Sequence, residues 1–439
     1  MKQLIYILLF FLSIHSISAQ AVMTTDEAID LLLQNNYGVN IARNSVKIAE
    51  TNTSKELNGY LPTLGATAGV NANMGGSTQT FGDAFTQGQG GNTINVSNAF
   101  QWGANAAVQA NYTLLDRTRD YTLEQLKEQL TLSDLELRQT IEVNILQLYS
   151  AYYQLAQLSE NRIIQERTLA ISQQRRERAQ YRFDYGQGTG LDVLNAAVDI
   201  QRDSVNLLNL EQQIANARRN INVIIGQDVN TEFAVDTTVN YNATLDLPQL
   251  TSQAQTNNIA LLAIDQNIRI SSYDLKILDA TRKPTLNANA SYSFSLSDLP
   301  EESFTTFQNN RGFGAGITLG WNISDGGIRK MRQQNVNIAL QSQALQRNQV
   351  EAELLRDLTS AWESYQNALY ILEVERNNIA TAQVNFNRTE EFFKQGSLSS
   401  VEFRQAQLNL LNAERSFNSA KYNAKLLEIQ LLQLSGGLL

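Results

Sequence analysis

Carboxylates are the side chains of this 439-residue chain with the widest capacity for chemistry, because the chain has no cysteine and one histidine, His15. His15 lies in an N-terminal segment with a basic start, an apolar centre and small residues at its end, which is typical of a secretory signal peptide. We therefore predict that residues 1–19 are removed on export. The mature chain then lacks Cys and His, which excludes thiolate nucleophiles, Ser–His–Asp triads, the usual zinc sites and disulfide bonds.

Several acidic residues have the spacing of helix caps. Thr24 and Glu27 are three residues apart before an apolar run, the pattern of a capping box. Asp116 and Asp325 each lie between a segment with strand periodicity and one with helical periodicity, where a carboxylate accepts hydrogen bonds from free amides. We predict N-caps at Thr24, Asp116 and Asp325 rather than catalytic or metal-binding acids.

The charge of the chain limits its partners. A formal net charge of −9 argues against a nucleic-acid partner, which needs a basic surface. After the signal segment, no apolar run approaches the roughly 20 residues that a membrane helix needs. Membrane contact is therefore expected through β-strands or at the surface, and no cofactor or metal site is predicted.

Four segments alternate apolar and polar residues with a period of two, as strands do when one face meets lipid and the other meets water. Their apolar positions are rich in alanine, and the aromatic residues Trp102, Tyr112 and Trp321 lie near segment ends, as in an interfacial belt. The alternative is an ordinary sheet packed on a soluble core. Four strands cannot close a barrel, so several protomers would share one. The predicted strands are 63–75, 99–115, 285–297 and 312–324.

Most of the remaining chain has helical periodicity. Residues 116–185 and 325–395 contain no proline and carry apolar residues at alternating steps of three and four, which predicts long coiled-coil helices. Glycines interrupt this periodicity near Gly186 and Gly396, and a new helical pattern follows each. We predict a helical hairpin tip at each of these glycines.

The chain contains two copies of one unit. Matching segments occur at an offset of 222 before the strands and 210 after them, so the first copy has about a dozen extra residues, which we place in a loop within 75–98. The predicted organisation after the signal peptide is a first repeat, 20–230, a linker, 231–247, and a second repeat, 248–439.

The order of these elements resembles the outer-membrane efflux protein family, the TolC-like channel tunnels. The similarity covers nearly all of the mature chain. The residues that carry it lie at the start of the first helix, before the first strand, before the second long helix, at both tips and at the end of the last helix: Thr24–Ala28, Gly59–Leu64, Trp321–Gly327, Tyr185–Leu194, Gly396–Glu402 and Leu434–Leu438.

The resemblance implies a membrane α+β fold with internal duplication. Four transmembrane strands per protomer would contribute to a shared 12-stranded barrel in a homotrimer, above a long periplasmic α-helical coiled-coil barrel. It implies a passive exit duct in the outer membrane of a Gram-negative bacterium, not an enzyme, serving a tripartite efflux or type I secretion system. The implied partners are a periplasmic adaptor, an inner-membrane RND or ABC transporter, and outer-membrane lipid.

The resemblance also assigns residues to the periplasmic aperture. Glu402 matches a carboxylate that rings the constriction in the family, whereas Gln405 stands where a second acid follows one turn later. Asp192 matches an acid that relatives hold with Arg and Tyr from the second tip, but those positions are Leu398 and Phe393 here. An acidic double ring and that polar latch are therefore not expected in this chain.

Two other functions fit parts of the pattern. A trimeric adhesin also combines four strands per protomer with coiled coils, but its strands are consecutive and C-terminal, unlike these separated hairpins. An enzyme with paired carboxylates would need two acids in one pocket, and nothing in the sequence places them there. The sequence does not name the cargo of a duct.

Overall fold

The computed structural model describes residues 22–80, 93–242, 244–301 and 305–438. The predicted signal peptide, 1–19, lies outside these ranges. The chain forms two compact units. The first contains the described residues of Met1–Val46, Ser133–Asp265 and Leu345–Leu439, and the second contains those of Lys47–Leu132 and Gln266–Ala344.

The elements follow the order expected of a duplication. The first half contains β1 (Val22–Met23), α1 (Thr25–Asn35), α2 (Tyr37–Asn52), β2 (Thr63–Thr80), β3 (Thr93–Leu115), α3 (Arg117–Asp184) and α4 (Gly190–Ile224). The second half contains β4 (Ala234–Val235), α5 (Leu247–Asn257), α6 (Ile259–Ala280), β5 (Thr285–Asp298), β6 (Phe307–Gly320), α7 (Ile328–Lys394) and α8 (Ser400–Leu434).

The two long helices are continuous. Helix α3 has 68 residues and α7 has 67, and neither contains the proline that would remove a helical hydrogen bond. Both end near the glycines predicted as tips. None of the helices within the described ranges has the length and apolarity needed to cross a membrane.

The first strand pair is longer than the sequence predicted. β2 and β3 extend into the segment 75–98, which we expected to be a loop, although residues 81–92 lie outside the described ranges. Thr78 Oγ1 donates to Asn95 Oδ1 at 2.7 Å, and the hydroxyls of Thr80 and Thr93 are 3.2 Å apart. These polar pairs continue the ladder beyond the apolar alternation from which the strand ends were predicted.

The fourth strand is shifted relative to its predicted range, 312–324. β6 begins at Phe307 and ends at Gly320, which pairs with Thr285, the first residue of β5. Among the described residues, no strand pairs with 321–324, because Pro284 precedes β5 and cannot donate to a ladder. The alternation of Trp321 and Ile323 was therefore misleading at this end.

The second unit is built on one antiparallel sheet with the strand order β2-β3-β5-β6. β3 pairs with β5 although about 170 residues separate them in the chain, so the two predicted hairpins lie side by side. β2 and β6 form the two edges of the sheet.

Equivalent hydrogen bonds occur in both copies within the first unit. Asn36 Nδ2 donates to the carbonyl oxygen of Ile224 at 2.7 Å, and Asn258 Nδ2 donates to that of Leu434 at 3.0 Å. Each bond satisfies a carbonyl at the end of a returning helix, which has no partner within its own helix. The duplication predicted from sequence offsets is thus repeated in the contacts.

A glycine follows each of these helix ends and is required there. Gly226 and Gly436 have φ angles of 68° and 73°, and a Cβ atom would lie 2.5 Å from the carbonyl oxygen of Asn35 or 2.6 Å from that of Asn257. Backbone atoms cannot move aside as a flexible side chain can. Close helix packing therefore selects glycine at both positions.

A short parallel strand pair joins the predicted linker, 231–247, to the start of the first repeat. β4 pairs with β1, and the buried Tyr152 holds both strands. Its hydroxyl donates to the carbonyl oxygen of Met23 at 2.7 Å and accepts from Asp236 N at 2.9 Å. Burial raises the pKa of Tyr152 to about 12.

Candidate functional site

One face of the sheet is mainly apolar on all four strands, with Asn309 and Arg311 of β6 as polar exceptions. The register places Ala66 opposite Val108, Val108 opposite Tyr292, and Tyr292 opposite Phe313. Much of this face is exposed, and Phe313 retains 73% of its accessible surface. A continuous exposed apolar surface of this kind needs lipid or another chain to cover it.

The opposite face carries amides, hydroxyls and glycines. Gly65 pairs with Gln109, Gln109 with Ser291, and Ser291 with Gly314. Successive residues of a strand point to opposite faces, so this register places most of the apolar side chains on one face and most of the polar ones on the other. The sheet therefore presents one surface suited to hydrocarbon and one suited to water.

The predicted interfacial aromatics lie at two levels of the sheet. Trp102 and Tyr112 are ten residues apart on the apolar side of β3, which corresponds to roughly 33 Å along a strand. With a strand tilt of about 40°, the component of that distance along the membrane normal is close to the ~25 Å height of an apolar membrane band. Trp102 Nε1 donates to Asp298 at 3.0 Å, and Trp321 Nε1 donates to the carbonyl oxygen of Arg282 at 2.9 Å.

Each of the three residues predicted as N-caps accepts a hydrogen bond from a backbone amide near the start of its helix. Thr24 Oγ1 accepts from Glu27 N at 3.2 Å, and Glu27 accepts in return from Thr24 N at 3.0 Å. Asp116 accepts from Thr118 N at 2.8 Å.

Asp325 lies three residues before α7. It accepts from Arg329 N at 2.9 Å and Gly327 N at 3.0 Å. The hydrogen bond from Arg329 N is the main cause that lowers the pKa of Asp325.

The first hairpin tip contains a capping box that the sequence analysis missed. The turn passes through Gly186, whose φ is 69°, and α4 begins after Thr189. Asp192 Oδ2 accepts from the hydroxyl of Thr189 at 2.7 Å, and Thr189 Oγ1 accepts from Asp192 N at 3.3 Å. The signal was present in the Thr–x–x–Asp spacing.

The second tip repeats this arrangement 210 residues later. Gly396 has a φ of 80°, and Glu402 accepts from the hydroxyl of Ser399 at 2.6 Å and from Ser399 N at 3.0 Å. These bonds lower the pKa of Glu402. Gln405 is exposed one turn later and donates to Asn409 at 2.9 Å.

Apolar contacts hold the second tip at Phe393 and Leu398, the two positions that the resemblance compares with a polar latch. The ring of Phe393 stacks on Phe403 with centroids 4.6 Å apart, and Phe386 lies 5.6 Å from Phe403. Leu398 packs against this cluster. Phe393 and Leu398 also line a groove of about 320 Å³ between the tips, together with Asp192 and Gly396.

A buried polar network near the tips was also missed. Arg404 donates to both oxygens of Asp203, at 2.7 and 2.8 Å, and Ser172 Oγ donates to Asp203 at 2.7 Å. Gln407 joins it by accepting from Arg404 at 3.0 Å and donating to the carbonyl oxygen of Thr168 at 2.8 Å. The network links α3, α4 and α8, and no local sequence pattern predicts it.

Arg175 and Asp199 form a second ion pair beside this network. Among the described residues, no group of three or more His, Asp or Glu side chains is arranged to hold a metal ion. The polar side chains near the tips bind one another and the backbone.

A sheet with a lipid-type face and a water-type face, repeated helical hairpins and polar tips define a membrane channel protein. The chain matches the profile of the family described as "Outer membrane efflux protein" over residues 28–227 and 250–437, and it belongs to that family. Its place in the outer membrane and its role in efflux, both predicted from the sequence, follow from this membership. This is a family of channels and not of enzymes, and the adhesin alternative is wrong.

Individual relatives agree with this assignment. The outer membrane efflux protein BepC of Brucella suis is 22% identical over 414 residues, which cover 92% of this chain and 83% of BepC. The outer membrane protein TolC of Vibrio cholerae is 20% identical over 381 residues, covering 86% and 82%. The solved outer-membrane channel OprN has the same fold, with a TM-score of 0.70 at 17% identity over 94% of this chain and 90% of OprN.

Proposed function

We propose that three copies of this chain assemble into a passive exit duct. The observation that carries the proposal is the sheet, which separates an apolar from a polar face but leaves β2 and β6 as edges. Unpaired strand edges are not tolerated in hydrocarbon, because their amide and carbonyl groups find no partner there. Joining β6 of one copy to β2 of the next in a closed trimer removes every edge and gives twelve strands.

The energy for export would come from elsewhere. Family membership supports a periplasmic adaptor and an inner-membrane RND or ABC transporter as partners, and the duct itself would need no cofactor. The two repeats, 20–230 and 248–439, would each supply one strand pair and one helical hairpin to every protomer, joined by the segment 231–247.

Glu402 would form an electrostatic filter at the periplasmic aperture. Its side chain is exposed, and its lowered pKa keeps it charged at neutral pH. Three such carboxylates around a narrow pore would attract cations. Asp192 would hold the first tip through its capping box, and Gln405 would leave the ring with a single acidic layer.

Planar-bilayer recordings on the purified chain test both parts of this proposal. The wild type should give stable, cation-selective channels. Glu402→Gln retains a side chain that can complete a capping box but removes the charge, so it should lower cation selectivity or raise conductance. Glu353→Gln, the same change at an exposed acid on α7, is the matched control and should behave as the wild type.

The two parts can fail separately. If the wild type forms no channels, the duct is wrong. If channels form but Glu402→Gln leaves both selectivity and conductance unchanged, the filter is wrong and the duct stands.

A further inference from the structure

The two copies differ where the strands join the helices. β3 ends and β5 begins at the same end of the sheet, because Leu115 pairs with Leu286. β6 also ends there, because Gly320 pairs with Thr285. We call this the junction end. Each copy has a turn before its first strand and a helix start after its second strand at the junction end.

In the first copy, the charged side chains at the junction end have partners within the same copy. Arg117 pairs with Asp120 at 3.2 Å. The guanidinium of Arg119 lies 4.0 Å from the ring centre of Tyr60 and donates to the carbonyl oxygens of Gly59 and Thr113. Tyr60 in turn donates to Asp120 at 2.8 Å.

The second copy has cations at the positions of two of these partners, Tyr60 and Asp120, and at two neighbouring positions. At the offset of 222, Tyr60 and Leu61 correspond to Arg282 and Lys283, and at the offset of 210, Asp120 and Thr122 correspond to Lys330 and Arg332. We call these four cations the junction cations: Arg282, Lys283, Lys330 and Arg332. All four are exposed, and in the part of the chain that the structure describes, none has a carboxylate within ion-pair distance.

The nearby acids are already engaged. Asp279 accepts from Gln333 Nε2 at 2.6 Å, which joins the end of α6 to the start of α7. Asp325 accepts the backbone hydrogen bonds that cap α7. Arg282 and Lys283 precede β5, and Lys330 and Arg332 begin α7; the Trp321–Arg282 and Gln333–Asp279 hydrogen bonds join these two segments. The four cations therefore form a patch at one end of the sheet, without a counter-charge of their own.

Folding does not explain the patch. Lys330 is the third residue of α7, and a cation there opposes the helix dipole. The third residues of α1, α4 and α8 are instead the carboxylates Glu27, Asp192 and Glu402. A source of negative charge outside the chain is therefore indicated.

The surroundings of the patch indicate what carries that charge. Leu319 on the apolar face is exposed, Trp321 follows it with 60% exposure, and the Trp321 indole donates to the carbonyl oxygen of Arg282 at 2.9 Å. Moving along the chain from β6 thus crosses an apolar surface, the amphipathic Trp321, the exposed Ile323 and then the cations that begin α7. This is the order of acyl chains, interface and charged headgroups in a bilayer leaflet.

We propose that the junction cations bind the phosphate groups of anionic phospholipids in the leaflet that faces the periplasm. The inference rests on the proposed function, because it needs the sheet to span the membrane. Trp321 would lie at the level of the glycerol backbone, and the four cations would contact headgroups just outside it. In a trimer the patch would occur three times around the barrel.

Lipid retention by the purified full chain tests this proposal. Delipidated protein in dodecyl maltoside is given phosphatidylglycerol or phosphatidylcholine with the same acyl chains, and bound lipids are counted by native mass spectrometry. The wild type should prefer phosphatidylglycerol by roughly tenfold. A variant with all four junction cations changed to Gln should lose that preference.

A matched control carries the same change of charge elsewhere. Four exposed arginines of the other compact unit, changed to Gln, should leave the preference intact: Arg176, Arg356, Arg376 and Arg388. Inorganic phosphate in excess should not displace the lipid, because the acyl chains also bind. No preference in the wild type, or equal loss in the control, overturns the proposal. So does displacement by phosphate, which would indicate a site for the free anion.

Two measurements keep the test independent of variant folding and of the duct. Raising the salt to 1 M should abolish the wild-type preference, because the Debye length falls from about 10 to about 3 Å. An unchanged preference at high salt contradicts an ionic site.

Conductance in phosphatidylcholine bilayers reports on the duct. A variant that conducts normally but no longer prefers phosphatidylglycerol therefore supports the inference. An export defect in cells without any change in lipid preference overturns it in favour of an acidic protein partner.

Discussion

At the scale of single residues, the tip region depends on a buried ion pair. Arg404 and Asp203 expose 8% and 2% of their side chains, and each has hydrogen bonds besides their own. Burial of two charges costs several kcal/mol of hydration, which their attraction and hydrogen bonds offset. The pair is therefore far more sensitive to the loss of one partner than to the loss of both.

We expect Asp203→Asn to lower the free energy of unfolding by about 3 kcal/mol, because Arg404 is then buried with only the more distant carboxylate of Asp199, whose Oδ1 lies 3.7 Å from Arg404 Nε. Replacing both residues, with Arg404→Met and Asp203→Leu, should give a protein closer to the wild type than either single change. The measurement is chemical denaturation in detergent followed by circular dichroism, analysed as a double-mutant cycle.

The control for this cycle is the exposed pair Arg356 and Asp357, whose side chains expose 66% and 48%. Breaking it with Arg356→Met should cost less than about 1 kcal/mol. Equal costs for the two pairs would show that the buried network contributes no more than a surface ion pair.

The sequence predicted residue roles only where partners are close along the chain. Asp116 was identified as a cap because its amide partner, Thr118, is two residues away. Arg404 and Asp203 are 201 residues apart, and the helices that bring them together are fixed by the tertiary fold. Glu402 and Asp192 had a local signal, the capping box, but the resemblance directed attention to the aperture instead.

At the scale of elements, the sheet is specified by its alternation. Ala106 and Ala107 are neighbours on β3 but belong to opposite faces. Ala106 pairs with Ala68 and Phe294 on the apolar face, whereas Ala107 pairs with Thr67 and Ser293 on the polar face. Both lie about midway between Trp102 and Tyr112.

We expect Ala106→Arg and Ala107→Arg to have unequal effects on folding into phosphatidylcholine vesicles. An arginine on the lipid face at mid-membrane costs about 2–4 kcal/mol, whereas one on the water face keeps its hydration. Urea titration of folding into vesicles measures the difference. The adjacent positions serve as controls for each other, and equal costs would contradict the assignment of a lipid face and a water face.

The existence of all four strands was predictable, but their ends were less so. Alternation of apolar and polar residues indicates which face of a strand is apolar, but not where the strand ends. It continues through Trp321 and Ile323, although the pairing of β6 with β5 ends at Gly320. It also stops near Gly75 although polar pairs such as Thr78 with Asn95 continue the ladder. Strand ends depend on the partner strand, which a single segment does not encode.

At the scale of the whole molecule, the proposed duct requires that β6 of one copy meets β2 of the next. The chain has no cysteine, so any disulfide formed after substitution reports only the introduced positions. We propose pairs that combine Ala68→Cys or Ala72→Cys in β2 with Ala315→Cys or Ile317→Cys in β6. All four positions lie on the apolar face.

At least one of the four combinations should place Cα atoms within the 4.4–6.8 Å that a disulfide needs. Oxidation in membranes should then give covalent dimers and trimers on a non-reducing gel, and nothing larger, because a closed ring of three has no free edge. Ala106→Cys with Ala315→Cys is the control and should stay monomeric, since β3 is flanked by β2 and β5 of its own chain. Linked species that continue beyond the trimer would show an open assembly, and no link in any combination would show that β2 and β6 do not meet. Either result would leave the strand edges without partners in the membrane, and the trimeric duct would have to be abandoned.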